Sequence, residues 1–368
     1  MWNKLLVFAR KFDWIMFLVV CILSIIGLLA VYSIDISRAD KLTFFPTQAL
    51  SIGIGVILVF VGGSLHKTFY ESYAKYFYII AVLALVAVLF FGVDIRGTRG
   101  WFRFFGFSFQ PAELAKFALI IFLSYWISRQ RRRHDTWVFV IYSGLLMAVC
   151  AGLVLLQPDL GSAVVLSGIW FGLLIFSRVP KKKMLLLIGG VLLIFLVAWF
   201  FLFKEYQKER FFTFLYPDRD PLGSGYNITQ SIIAIGSGKG FGRGLGFGSQ
   251  SQLHFLPEAQ SDFIFSVIGE ELGFFGAAMV IFLYAILLLR IVWLAKICSD
   301  DFSAYTLLGI FSVFVIQIII NIGASLGVLP LTGITLPFLS YGGSSLITNM
   351  GLIAVAESIS MGCRKVGR

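Results

Sequence analysis

Charge is scarce in this chain. Asp, Glu, Lys and Arg make up 13% of its 368 residues, against about 25% in a soluble domain. Hydrophobic residues fill 59% of it and mean hydropathy is +0.92, which excludes an ordinary water-soluble globule. Cysteine is almost missing. The four copies, Cys21, Cys150, Cys298 and Cys363, fall in apolar segments or on the side assigned below to the cytoplasm, so no structural disulfide is expected. The nucleotide-binding pattern G-x-x-x-x-G-K-[ST] is absent, which argues against a P-loop. No small-residue cleavage pattern follows the first apolar segment, so it reads as a retained anchor rather than a signal peptide. Neither an appended soluble domain nor an internal repeat is visible. A single integral-membrane domain over 1–368 is expected.

What is present is a series of long apolar runs. Ten are long enough, or nearly so, to span a bilayer: approximately 13–34, 46–65, 74–93, 111–127, 137–156, 160–177, 182–203, 263–294, 303–327 and 335–360. A spanning helix needs ~20 residues, so the fourth and sixth are short. The fold class expected is an all-α polytopic membrane protein. The net charge of +11 is unevenly distributed. Lys67, Lys75, Arg129, Arg131 to Arg133, Lys181 to Lys183, Arg290 and Lys296 fall on one side with both tails, while the opposite short loops hold Arg38, Lys41, Arg96, Arg99 and Arg103. The positive-inside rule then places both termini in the cytoplasm, and the basic residues act as topology determinants rather than a nucleic-acid surface. The stretch 204–261, between the seventh and eighth spans, faces outside. It is too long for an ordinary connector, and its aromatics predict an ordered, partly helical cap on the membrane surface.

Five outward segments, and a glycine-rich stretch of the outer loop, could carry chemistry. Leu256 to Phe265 places Glu258 and Asp262 at the mouth of a helix read as continuous from Phe263 to Leu294, with Glu270-Glu271 two turns in. A carboxylate near a helix centre in a bilayer costs roughly 2.5–3.5 kcal/mol, so acids at its edge are candidates for function, although helix capping is the plainer account. At 100° per residue, Asp262, Ser266, Gly269, Glu270 and Gly273 share one side. Gln110 to Lys116 opens the fourth span with proline, and Glu113 and Lys116 are spaced to pair. Arg96 to Arg103, with Arg99 and Trp101, mixes cations and aromatics and suits an anionic headgroup or simple interfacial anchoring. Gln157-Pro158-Asp159-Leu160-Gly161 joins the fifth and sixth spans. Ser340-Tyr341-Gly342-Gly343-Ser344 opens the tenth. Within the long outer loop, glycine takes every second position from Gly236 to Gly248, beside Lys239 and Arg243. Such a loop can expose backbone N–H groups as an anion-binding nest, or it can be a connector with two solvated cations.

These segments carry a resemblance. The chain resembles, over nearly its whole length, the SEDS proteins (shape, elongation, division and sporulation), the group of RodA, FtsW and SpoVE. The resemblance implies a peptidoglycan glycosyltransferase of the bacterial cytoplasmic (inner) membrane. Such an enzyme polymerises lipid II on the outer face and works with a class B penicillin-binding protein, a transpeptidase, and other elongation-complex membrane proteins. It implies Asp262 as the essential aspartate. Short tails, Tyr226 to Ser231 and Gly248 to Gln252 look like the elongation (RodA) branch, while Pro257-Glu258-Ala259 and Ile268 to Glu271 look like the division branch. The expected reaction is an inverting transfer from a polyprenyl-pyrophosphate-linked glycan, with Asp262 as general base. Substrate contacts are expected from Arg99, Glu113, Lys116, Asp159, Lys239, Arg243, Glu258, Ser340, Tyr341, Gly342 and Gly343. A divalent cation such as Mg2+ or Mn2+ is a possible cofactor, and no nucleotide or nucleic acid is expected. The competing readings are a lipid II flippase, disfavoured because the deep polar residues Gln317, Asn321 and Asn349 are few and neutral, and a scaffold that only recruits a transpeptidase.

Overall fold

The computed structural model describes residues 10–37, 42–95, 97–104, 107–130, 134–177, 179–201, 208, 212–214, 216 and 223–363. Seven helices come first: α1 (Trp14–Ile36), α2 (Phe44–Ser64), α3 (Lys67–Phe91), α4 (Pro111–Arg129), α5 (Trp137–Leu155), α6 (Leu160–Phe176) and α7 (Lys181–Phe201). Short helices α8 (Ser224–Ser237), α9 (Ser249–Gln252) and α10 (Ile264–Glu271) follow, then α11 (Gly273–Ile297), α12 (Asp301–Ser325) and α13 (Gly343–Cys363). Among the described residues, eight helices, α1 to α5 and α11 to α13, are long and apolar enough to cross a membrane, and α6 is a shorter apolar helix. With the 21-residue α7, they match the ten expected segments.

Local chemistry fixes the helix starts. Asp13, Thr136, Asp159 and Asp300 accept from backbone N–H groups in the first turns of α1, α5, α6 and α12, and Pro111 takes the first position of α4. Burial then sorts the spans. In α4 and α13, 67% and 72% of the span is buried, against 22% in α2 and α3, so α4 and α13 form the centre and α2 and α3 keep lipid-facing surfaces. Polar side chains collect at the two ends of the bundle. One end joins Lys67 to Asp300, Arg290 to Asp13, Arg129 to Glu71 and Lys183 to Asp135. The other holds Ser33, Gln48, Gln110, Asp159 and Asp262. This agrees with helices that alternate in direction and gather their ion pairs at one end of the bundle.

Four expectations need correction. The first concerns the loop after α3, which forms a small antiparallel sheet, β1 (Val93–Ile95), β2 (Thr98–Phe104) and β3 (Phe107–Phe109), inside an otherwise helical chain. Phe102 pairs with Phe109 and Phe104 with Phe107, and aromatic residues favour strands. The continuous helix from Phe263 to Leu294 is instead two helices, because Gly273 has φ +67° and breaks the chain between α10 and α11. The tenth span starts at Gly343, not 335. Residues 330–342, with Pro330, Gly333 and Pro337, form an irregular outer segment instead. Finally, Cys298 and Cys363 form a disulfide. They sit at the ends of α11 and α13 on one face, with Cα atoms 5.1 Å apart, a juxtaposition that a sequence separation of 65 hides. The expected cap over 204–222 lies largely outside the described residues. From 223 on it is partly helical, as α8 and α9.

Candidate active site

Asp262 lies in a turn just before α10, and is half-buried. The carbonyl of Glu258 gathers the N–H groups of Ser261 and Asp262 at 3.1 Å each, which brings Glu258 and Asp262 onto one turn. Glu258 has φ +51°, a left-handed conformation that costs a non-glycine residue about 1–3 kcal/mol and is found most often at functional sites. Its carboxylate accepts from Gln260 Nε2 at 3.0 Å.

The segment 330–342 packs directly on this turn. Tyr341 N–H donates to the Gln260 carbonyl at 2.8 Å, and Ser340 Oγ donates to the Ser261 carbonyl at 2.6 Å. Gln48 of α2 holds the same segment, donating to the Ser340 carbonyl at 3.2 Å and accepting from Gly342 N–H at 3.4 Å. Tyr341 packs on Phe44, with ring centroids 4.8 Å apart. A Cβ at Gly333 would lie 4.0 Å from Asp262 Oδ2, and one at Gly161 would lie 2.6 Å from the Thr332 carbonyl oxygen. Asp262, Glu258, Ser340, Tyr341, Gly342 and the start of α6 therefore form one constellation. Ser340 and Gly342 brace it, while Gly343 starts α13.

Asp159 has a structural task at the edge of this group. Its Oδ1 caps α6 at Ser162 N–H (2.9 Å) and its Oδ2 accepts from Gln110 Nε2 (3.0 Å). Gln110 in turn ties to Ser344 Oγ at 3.1 Å, so α4, α6 and α13 meet here. Arg99 is exposed on β2, whose neighbour Gly100 abuts Gln157. One turn into α4, Lys116 Nζ donates to Glu113 Oε1 at 2.7 Å. Both side chains are almost fully buried, and Glu113 Oε2 has no hydrogen-bond partner among the described residues.

Lys239 and Arg243 belong to a different place. The glycine-rich loop lies on the α10–α11 break, not on Asp262. Arg243 and Gly244 N–H groups donate to the carbonyls of Glu270 and Glu271 at 3.0 Å each, and Gly246 N–H donates to Ser33 Oγ at 3.1 Å. Those three N–H groups are occupied and do not serve an anion; at this contact the glycines permit backbone-to-backbone approach. Arg243 bonds Ser249 Oγ at 2.8 Å, and Lys239 is exposed. Glu270 accepts from Gln250 and Ser251 N–H, and Glu271 from Ser33 Oγ. Burial pushes the Glu271 carboxyl up, opposed by hydrogen bonds from Ser33, Gln252, Gly246 and Ser251. Both acids are clasps for the loop. Gly242→Ala is a direct test of the packing account. A Cβ at Gly242 would lie 2.1 Å from the Glu271 carbonyl oxygen, whereas one at Gly246 meets nothing within 4 Å, and both glycines have positive φ. Gly246→Ala is expected to cost only the backbone term, about 1–2 kcal/mol. Gly242→Ala is expected to lower the melting temperature much further, and equal melting temperatures would refute the packing role.

The model of the cell cycle protein family of FtsW, RodA and SpoVE matches residues 13–365. The chain belongs to this family. Stage V sporulation protein E of Bacillus subtilis is 35% identical over 364 residues, covering 95% of this chain and 96% of that protein. Peptidoglycan glycosyltransferase MrdB of Escherichia coli K12 is 34% identical over 366 residues, covering 97% and 94%. Among solved structures, the rod shape determining protein RodA of Thermus thermophilus superposes with TM-score 0.72 at 27% identity, covering 96% and 98% of the two chains. A chain of a peptidoglycan synthase complex that coordinates polymerization and crosslinking superposes at TM-score 0.81 and 31% identity, covering 95% and 97%. This member of the family is thus a multi-pass membrane protein. Its sequence pointed to Asp262 and the Glu113–Lys116 pair but missed Gln48, whose only signal is an amide in the apolar second segment.

Proposed function

We propose that this chain is a peptidoglycan glycosyltransferase that polymerises lipid II on the outer face of the bacterial cytoplasmic membrane, in the elongation branch. The observation that carries the reading is the Glu258–Asp262 turn, braced by 330–342 at the end of the bundle opposite the cation-rich face. Relatives named as peptidoglycan glycosyltransferases support the reaction class.

The acceptor is the 4-hydroxyl of the lipid II GlcNAc, a poor nucleophile at neutral pH. Asp262 takes its proton as the oxygen attacks the anomeric carbon of the donor glycan, and positioned base catalysis contributes roughly 10²–10⁴-fold. A new C–O bond forms while the bond from the anomeric carbon to the pyrophosphate oxygen breaks. The polyprenyl pyrophosphate leaves with the electron pair. An α-linked donor and β-linked product require inversion, hence one displacement without a covalent enzyme intermediate. Negative charge grows on the leaving group, and a cation aimed there lowers the barrier. Lys116 is the buried candidate and Arg99 an exposed one, whereas Lys239 and Arg243 lie on the α10–α11 break, away from Asp262. Among the described residues no group of three or more His, Cys, Asp or Glu is placed to hold a metal. Glu258 and Asp262 would hold a divalent ion only together with oxygens of the bound pyrophosphate, where it would offset the charge of the leaving group, and every step here uses the chain's own residues.

A class B penicillin-binding protein is the proposed partner, consistent with the synthase complex that the fold matches. The deciding experiment is polymerisation of purified lipid II in detergent, with and without that partner. Glycan strands are expected. No strands under either condition, together with lipid II translocation in proteoliposomes, would replace the enzyme by a flippase.

A further inference from the structure

The mechanism leaves Asn321 unused. It is a carboxamide within apolar α12, 3% exposed, one turn from the outer end of that helix. Its Nδ2 donates to two carbonyls at once: that of Asp262 at 3.0 Å and that of Ile334 at 2.8 Å. In the segment 330–342, Gly333 lies beside the Asp262 carboxylate, and Thr332, the residue before it, lies against Gly161 at the start of α6. Residues 332–334 are therefore a wedge between Asp262 and α6, and Asn321 fixes that wedge to the Asp262 backbone. The helix bearing Asn321 is itself anchored. Ser325 Oγ donates to the Asn321 carbonyl at 3.0 Å, Ser231 Oγ donates to the Ser325 carbonyl at 2.6 Å, and Ser231 Oγ lies 2.6 Å from Ser266 Oγ. The outer turn of α12 is thus tied to α8 and α10.

We propose that Asn321 is a positioning residue for glycosyl transfer, fixing the Asp262 carboxylate against the 332–334 wedge. This rests on Asp262 being the base. Only a group with two N–H donors on a short stem serves both carbonyls. An aspartate there would set a carboxylate against them. A methyl group would leave both without this partner and let turn and wedge move independently. Misplacing a reacting group by ~1 Å costs roughly 10²-fold in rate without removing any group that binds substrate.

The test compares kcat and KM for lipid II, and the melting temperature, in purified Asn321→Ala, Asp262→Ala and Tyr284→Phe. Tyr284 is the control because its hydroxyl donates to the Pro337 carbonyl at 2.6 Å and so holds the same outer segment at a point outside the 332–334 wedge. Asn321→Ala is expected to lower kcat by about tenfold or more with KM near wild type. Tyr284→Phe is expected to keep kcat near wild type even if its melting temperature falls as far. Wild-type kcat in Asn321→Ala, or an equal kcat loss in Tyr284→Phe, would overturn the proposal. Should the alanine variant fail to accumulate, Asn321→Ser, which keeps one donor, decides by the same split: a partial kcat loss at unchanged KM supports the role, and wild-type kcat removes it. Polymerisation by Asp262→Ala at the wild-type rate is the separate outcome that would remove the base itself.

Discussion

Asp262→Asn is expected to fold, insert into membranes and make no glycan. The backbone of Asp262 is held by the Glu258 carbonyl through its N–H and by Asn321 through its own carbonyl, and an isosteric amide leaves both bonds in place. The change removes the capacity to take a proton. A sugar hydroxyl that must lose its proton during attack then meets a group that cannot accept it, and the base contribution of roughly 10²–10⁴-fold disappears. Glu258→Gln makes the informative comparison. Glu258 braces the turn through hydrogen bonds from Gln260 and Ser261, which an amide oxygen can still accept, so a smaller loss is expected. Strand length and rate, read by gel from purified lipid II, check both variants. Strands of ordinary length at an ordinary rate from Asp262→Asn would remove the assignment, and a larger loss in Glu258→Gln would transfer the base role to Glu258.

The spans were legible because an apolar run of bilayer length has few alternative fates. The irregular segments were not, and each for its own reason. Between α10 and α11, Glu270-Glu271-Leu272-Gly273 is flanked by apolar residues on both sides, so the run reads as one helix. Only the positive φ of Gly273, invisible in a residue list, breaks it. The glycine-rich loop is ambiguous in principle, since lack of a Cβ serves an anion nest and a tight backbone contact equally well. The partner that decides, the carbonyl of Glu271, lies 29 residues beyond Gly242 in the chain. Asp159 shows the opposite case. The capping account, always available for an aspartate before a helix, is the one its Oδ1 fulfils, while Oδ2 ties α6 to Gln110. At Asp262 local pattern and resemblance agreed, and what only the fold adds is the wedge at 332–334, about 70 residues away in sequence.

Lys116→Ala is expected to lose both polymerisation and stability, and the two losses are separable. At an exposed site the Glu113–Lys116 pair would contribute only ~0–1 kcal/mol. Here the side chains are 6% and 4% exposed, in the first turns of the most enclosed part of the bundle. Removing the ammonium leaves a buried carboxylate without its cation, which costs about 3–5 kcal/mol. A loss of activity in this variant alone therefore decides nothing. Removing both charges together does, because replacing a buried ion pair by well-packed hydrophobic side chains of similar volume is often neutral or stabilising. Glu113→Leu combined with Lys116→Met is expected to melt near wild type. If Lys116 meets the departing pyrophosphate, this stable double variant still polymerises poorly, since the charge that opposed the growing negative charge is gone. Lys116→Arg is expected to recover part of the rate at most, because charge persists but the planar fork does not reproduce a compact ammonium. Melting temperature and strand synthesis, measured on the same preparations, give the answer. A double variant that is stable and also polymerises at the wild-type rate would show that the pair holds the fold alone, and that the pyrophosphate is met by another cation, with Arg99 the next candidate.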